Sequence, residues 1–239
     1  MSKKSLIKMT AMAAAFAATA VPLAASAEIS GSLSAASMYL WRGQDVSGGT
    51  AQIAGSLDFT TESGFYAGSW VSSAGTGVEI DTDDTSDTFG KGGSSTETDF
   101  YAGFGGEAGG LGYDISYWTY VYPEGDVGAG ELGEIILGLS MADFGLTYYT
   151  SVYNNDAEGD RSVGDDNYLT LSYGYDKFSF LVGTWMFDAD DSDYTHFDIG
   201  YSPVENLTFT ASKVISSDDG AGVTDDQDVL FQVGYSFPL

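Results

Sequence analysis

From Val229 to the C-terminus every second residue is large and apolar: Val229, Phe231, Val233, Tyr235, Phe237 and Leu239. Asp228, Gln232, Gly234 and Ser236 stand between them. A period of two held this long is a strand with one apolar and one polar face. The pattern recurs along the chain. Ile29, Gly31, Leu33, Ala35, Ser37, Tyr39 and Trp41 form one face of a first strand. Ala51, Ile53, Gly55, Leu57 and Phe59 alternate with Gln52, Ser56 and Asp58. Leu111, Tyr113, Ile115, Tyr117 and Val121 oppose Asp114, Ser116, Trp118 and Tyr120. About twelve such segments follow one another, at 29–41, 50–60, 65–73, 97–105, 111–122, 131–141, 144–153, 167–175, 178–187, 194–202, 207–215 and 228–239. Each is near the ~9–11 residues that a tilted strand needs to cross a bilayer.

The links alternate too. Those at 42–49, 74–96, 123–130, 154–166, 188–193 and 216–227 are long and acidic. Those from Thr61 to Gly64, Gly106 to Gly110, Ala142 to Asp143, Asp176 to Lys177 and Pro203 to Asn206 are tight. Short turns on one side and long loops on the other predict an all-β, up-and-down antiparallel transmembrane β-barrel of about twelve strands, with ten or fourteen as the alternatives. An even number puts both ends of the chain on the short-turn side. A soluble sandwich has no reason to segregate its links in this way, and no blade repeat of about 40 residues supports a propeller.

The N-terminus carries an export signal. Lys3, Lys4 and Lys8 precede an apolar, Ala-rich run from Met9 to Leu23, and Ala25-Ser26-Ala27 supplies the cleavage pattern. Residues 1–27 are therefore expected to be a cleaved signal peptide, and 28–239 an outer-membrane barrel of a Gram-negative bacterium. The whole chain has a formal charge of −27, and the leader holds three of its eight basic residues and none of its 35 acidic ones. So acidic a mature chain repels nucleic acid and draws in cations. The acid is expected in the long links, as in Asp81, Asp83, Asp84 and Asp87, Asp156, Glu158, Asp160, Asp165 and Asp166, Asp188, Asp190, Asp191 and Asp193, and Asp218, Asp219, Asp225 and Asp226. The chain has no cysteine, which excludes thiol chemistry and Cys-based metal sites.

Rings fall near the tight turns (Phe59, Phe65, Phe144, Tyr175, Phe178, Tyr201, Phe209, Phe237) and toward the long links (Tyr39, Trp41, Tyr117, Tyr148). Two interfacial aromatic belts are expected from this placement. Lys213 falls on an apolar face and is expected to snorkel to the interface.

If the apolar faces meet lipid, the alternate set lines the interior: Asp58, Glu97, Asp99, Asp114, Trp118, Tyr120, Glu134, Tyr149, Trp185, His196, Asp198 and either Tyr66 or Trp70. Carboxylates on a pore wall concentrate cations and exclude anions. Rings there offer a stacking track for sugars or aromatic solutes. Arg42 stands at the top of the first strand, facing an excess of acid, where it either pairs with lumen carboxylates to shape a constriction or snorkels. The alternative interior is one packed with side chains. His196 is the sole histidine, with Asp198 two residues on. A hydrolase would need a serine brought beside it, and no G-x-S-x-G motif is present, so no catalytic residue is expected. Asp81 to Asp87 offers oxygen ligands for calcium but lacks EF-hand spacing, so no metal is expected. Gly105-Gly106 and Gly109-Gly110 are read as turn glycines.

The stretch Ser37-Met38-Tyr39-Leu40-Trp41-Arg42-Gly43 resembles the S-x-Y-x-x-R-G opening of the TorF-family porins. Gly64-Phe65-Tyr66-Ala67-Gly68-x-Trp70, Thr98-Asp99-Phe100-Tyr101-Ala102-Gly103-Phe104 and Leu111-Gly112-Tyr113-Asp114 are similar to later pieces of that family. The resemblance implies an outer-membrane porin-like barrel and favours the constriction role for Arg42. The chain departs from the usual aromatic terminus of outer-membrane proteins by ending Phe237-Pro238-Leu239. The expectation is thus passive diffusion of small solutes, cationic or neutral, without cofactor. A non-conducting structural or surface-interaction barrel is the alternative, and a hydrolase a more remote one. Expected partners are outer-membrane lipid, the solutes and, during biogenesis, the insertion machinery. No residue argues for an oligomer.

Overall fold

A computed structural model describes residues 27–73, 96–123, 127–155, 160–189 and 191–239. The expected leader, the Asp81–Asp87 cluster, Asp156, Glu158 and Asp190 lie outside them.

Twelve strands close into one antiparallel barrel. They are β1 (Glu28–Ala36), β4 (Gln52–Thr60), β5 (Phe65–Ser72), β6 (Glu97–Ala108), β7 (Leu111–Tyr122), β8 (Val127–Met141), β9 (Phe144–Asn155), β10 (Asp160–Tyr175), β11 (Phe178–Met186), β12 (Tyr194–Val204), β13 (Leu207–Ser217) and β14 (Leu230–Phe237). A separate hairpin, β2 (Leu40–Trp41) and β3 (Gln44–Asp45), lies off the barrel sheet. Each barrel strand pairs with its chain neighbour. The ring shuts where β1 meets β4 on one side, Glu28 opposite Thr60, and β14 on the other, Leu33 opposite Phe237. Closure pairs β1 on both sides, with β14 over Leu33–Ala36, and so joins the two edges of the sheet, which is the condition for β-structure in hydrocarbon.

The period-two pattern explains which face goes where. Ile29 (71% exposed), Leu57, Ile115, Leu137, Leu171, Phe231 (69%) and their in-register neighbours cover the outside. Gln52, Ser72, Glu97, Asp99, Ser116, Glu134, His196, Ser212 and Gln232 are buried inside. An apolar exterior around a polar interior inverts a soluble protein and is the surface of a barrel that crosses a bilayer.

The turns at one end are shorter than the sequence suggested. Ala108 is followed by the Gly109-Gly110 turn alone, so Gly105 and Gly106 belong to β6. Similarly β12 runs through Pro203 to Val204 and turns on Glu205-Asn206. Tight two-residue connections need left-handed backbone, seen at Ala142 (φ 53), Asp176 (φ 51) and Asn206 (φ 70).

Three expectations are corrected at the other end. The first strand does not run to Trp41: β1 stops at Ala36, and the chain then turns inward through β2 and β3. Tyr39 and Trp41 leave the interfacial belt, Tyr39 packing on Trp70 and Trp41 on Trp185. β10 begins at Asp160, so Asp160, Asp165 and Asp166 are strand residues, beside a bulge between Val163 and Asn167. Lys213 reaches to the loop end of its strand, where its Nζ donates to the carbonyls of Asp225 and Gln227, both at 2.6 Å, and holds down the final link.

Candidate functional site

The interior is organised by the β2–β3 hairpin. Its two-residue turn is Arg42 (φ 48) and Gly43 (φ 83), the left-handed pair that a tight hairpin requires. Gly43 lies so near the wall that an added Cβ would sit 2.7 Å from Cβ and Cγ of His196. Asp45 accepts from Ser47 N, Ser47 Oγ and Gly49 N, which compacts the return to β4. Tyr194 donates to the Arg42 carbonyl at 3.0 Å and accepts from Gln44 Nε2 at 2.7 Å. Gln232 Nε2 donates to the Met38 carbonyl at 2.8 Å, and Gln227 Nε2 to that of Gly43 at 3.4 Å.

This seating carries the Arg42 side chain across the lumen. Arg42 Nη2 donates to both oxygens of Glu134 on β8, at 2.8 and 2.6 Å, and the guanidinium is 4% exposed. Its carbon lies 4.6 Å from the ring centre of Trp41, 4.8 Å from Tyr149, 4.5 Å from Tyr168 and 4.2 Å from Trp185. Three of these rings form a wall because their strands are in register: Tyr149 opposes Tyr168, and Tyr168 opposes Trp185. The next partner, Tyr194, continues the row onto β12. A cation over ring faces gains about 0.5–2 kcal/mol per contact, most when desolvated. The ion pair completes the compensation of an otherwise costly buried charge.

Acid surrounds this plug. Tyr120 donates to Glu134 at 2.6 Å, and Tyr122 to Glu97 at 2.8 Å. Asp99 opposes Tyr120 in register and is 4% exposed, yet its Oδ1 has no hydrogen-bond partner among the described residues. No group of three His, Cys, Asp or Glu among those residues is gathered closely enough to hold a metal ion.

Nearer the short turns is a second group. Asp58 accepts from Ser56 Oγ at 2.7 Å and from the Tyr101 hydroxyl. Asp114 accepts from the Tyr66 hydroxyl at 3.0 and 2.9 Å. Trp118 stacks on Tyr101 with centroids 4.1 Å apart. These groups keep partial exposure, and together present carboxylates and ring faces to the interior.

His196 belongs to a third group and is fully buried. Its Nε2 faces the Tyr168 hydroxyl at 2.6 Å and its Nδ1 faces Asp198 at 2.9 Å. Ser212 donates to Asp198 at 2.5 Å rather than to the imidazole. Both ring nitrogens are therefore engaged, Nε2 by a tyrosine hydroxyl and Nδ1 by a carboxylate.

The structure places the expected interior residues in three groups rather than one. Arg42, Glu97, Asp99, Tyr120, Glu134 and Trp185 gather round the hairpin, Asp58, Asp114 and Trp118 lie toward the short turns, and His196 pairs with Asp198. Tyr66 and Trp70 both face inward, in register with Thr60 and Asp99. Sequence reasoning missed Tyr101, Tyr168 and Tyr194. The first two occupy inward positions of alternating strands, a signal available but unused. The seating of Tyr194 on the hairpin backbone had none.

A family model described as "Bacterial protein of unknown function (Gcw_chp)" matches residues 19–236. No curated protein matches the chain. Among solved structures it is similar to a KdgM porin in complex with disordered oligogalacturonate, at 8% identity and a TM-score of 0.46, over 89% of this chain and 99% of that one.

Proposed function

We propose, from the premise that this chain belongs to the Gcw_chp family of bacterial proteins, that it is an outer-membrane channel for small solutes, narrowed by its own first long link. One observation carries the reading: a closed barrel, apolar outside, holds an ionisable interior into which a separate hairpin inserts Arg42. A purely structural barrel needs only a packed interior. Here Asp58 and Asp114 keep partial exposure toward the short-turn end, and Glu97, Asp99 and Glu134 are buried in the interior, Glu134 paired with Arg42. Such a wall favours cationic or neutral solutes over anions. In this reading residues 1–27 direct export and are removed, the long links face outward from the cell, and the short turns face the periplasm. The TorF-family resemblance of Ser37–Gly43 points the same way, with Arg42 as the constriction residue.

The reversal potential of the refolded chain, residues 28–239, in a planar bilayer under a salt gradient tests the selectivity. A cation-selective potential supports the reading, and an anion-selective one contradicts it. The non-conducting barrel has one observation in its favour, the apolar cluster of Ile136, Tyr149, Tyr168, Trp185, Tyr194 and Val214 packed around the hairpin. It predicts a folded protein that passes no current.

A further inference from the structure

We propose that the wall formed by β8 to β11 is a receptor for a guanidinium or ammonium group on a solute, with Arg42 as its displaceable resident. The physiological consequence rests on the channel reading, but the binding itself does not.

The receptor chemistry belongs to the wall. Glu134 on β8, Tyr149 on β9, Tyr168 on β10 and Trp185 on β11 come one each from four consecutive strands. A carboxylate beside several ring faces is the arrangement that recognises organic cations. The barrel ladder fixes the backbone positions of all four residues independently of the hairpin.

The resident is not part of that wall. It is carried on the turn of a short hairpin, paired at Leu40–Asp45 and Trp41–Gln44 and seated on the wall by hydrogen bonds from Tyr194, Gln227 and Gln232. It also fits imperfectly. Nη2 makes both bonds to Glu134, while Nη1, equally buried, has no hydrogen-bond partner among the described residues. The side chain is held there from a backbone at φ 48, a conformation that non-glycine residues rarely adopt. A free guanidinium has no such tether and can present two parallel N–H groups to the carboxylate. Competition with Arg42 would unseat the hairpin, so a cationic solute entering the lumen would clear its own path.

Ethylguanidinium chloride is the probe, read by tryptophan fluorescence because Trp41 and Trp185 border the cage, with sodium chloride of equal ionic strength as the control. In the refolded Arg42→Ala barrel the response should saturate, with at least tenfold tighter binding than in wild type, where the resident must be displaced. Adding Glu134→Gln to that variant should weaken binding at least tenfold. Should Arg42→Ala fail to fold, Arg42→Lys serves, since it keeps the charge but loses the fork, and its affinity for the probe should exceed that of wild type. Absence of a saturable response, an equal response to sodium chloride, or binding indifferent to Glu134 would overturn the receptor. Saturable, Glu134-dependent binding in a barrel that passes no current would support the receptor and count against the channel.

Discussion

Arg42 combines a left-handed backbone, a buried ion pair and a cage of rings. A left-handed non-glycine residue costs roughly 1–2 kcal/mol, so the side chain's contacts must offset that cost to keep the hairpin seated. Glu134→Gln removes the counter-charge while keeping the shape. Losing one partner of a buried pair typically costs about 3–5 kcal/mol, but Arg42 has an escape that most buried charges lack, since its hairpin can swing toward water. We therefore expect Glu134→Gln to lose less than that range in urea unfolding from lipid and to raise single-channel conductance. Gly43 gives a sharper test because two constraints coincide there. A Cβ would meet His196 at 2.7 Å and would load a φ of 83. Gly43→Ala should destabilise the seated hairpin by about 1–3 kcal/mol and open the same path without altering any charge. Equal conductance in wild type and Gly43→Ala would show that the hairpin does not limit the pore.

At the scale of the strand, alternation decided nearly everything. β7 runs from Leu111 to Tyr122 as its pattern predicted, and β4, β5 and β11 differ from expectation by no more than two residues at either end. Apolar faces found lipid because one neighbour in two had nowhere else to go. The pattern failed where it continued by coincidence. Tyr39 and Trp41 hold the odd-position register of Ile29 and Leu33, so periodicity could not reveal that β1 had ended and that these rings turn inward. The available sign was Leu40, apolar and out of phase, followed by Arg42-Gly43, a pair suited to a left-handed turn. β10 was read short because Asp165 and Asp166 look like loop residues, whereas Asp166 accepts a hydrogen bond from Tyr153 at 2.5 Å. The interior residues were individually legible as the polar half of each strand. Their grouping was not, because it depends on the inward fold of one link. The lipid face makes its own prediction: Leu137→Arg, exposed near the middle of the apolar band of β8, should cost about 2–4 kcal/mol in folding into bilayers.

For the molecule as a whole, two kinds of carboxylate stand out among the described residues of this strongly negative chain. Some long-link carboxylates close a link on itself or join two links, as when Asp193 accepts from Phe187 N and Asp218 accepts from Asp193 N. Others face the interior and set its potential. Asp58 and Asp114 are partly exposed toward the short-turn end, so neutralising both (Asp58→Asn with Asp114→Asn) should move the reversal potential toward zero and leave the fold intact by circular dichroism. An unchanged potential would place selectivity elsewhere, at Glu97 and Asp99 beside the hairpin.

The most direct test is single-channel conductance of the refolded chain, wild type against Arg42→Ala, in planar bilayers. Discrete steps that grow when Arg42 is removed are the predicted result, because the residue ties the first link to Glu134 inside the barrel. Silence from both proteins, each shown to be folded in lipid, would contradict the channel and leave a structural barrel with a permanently packed interior.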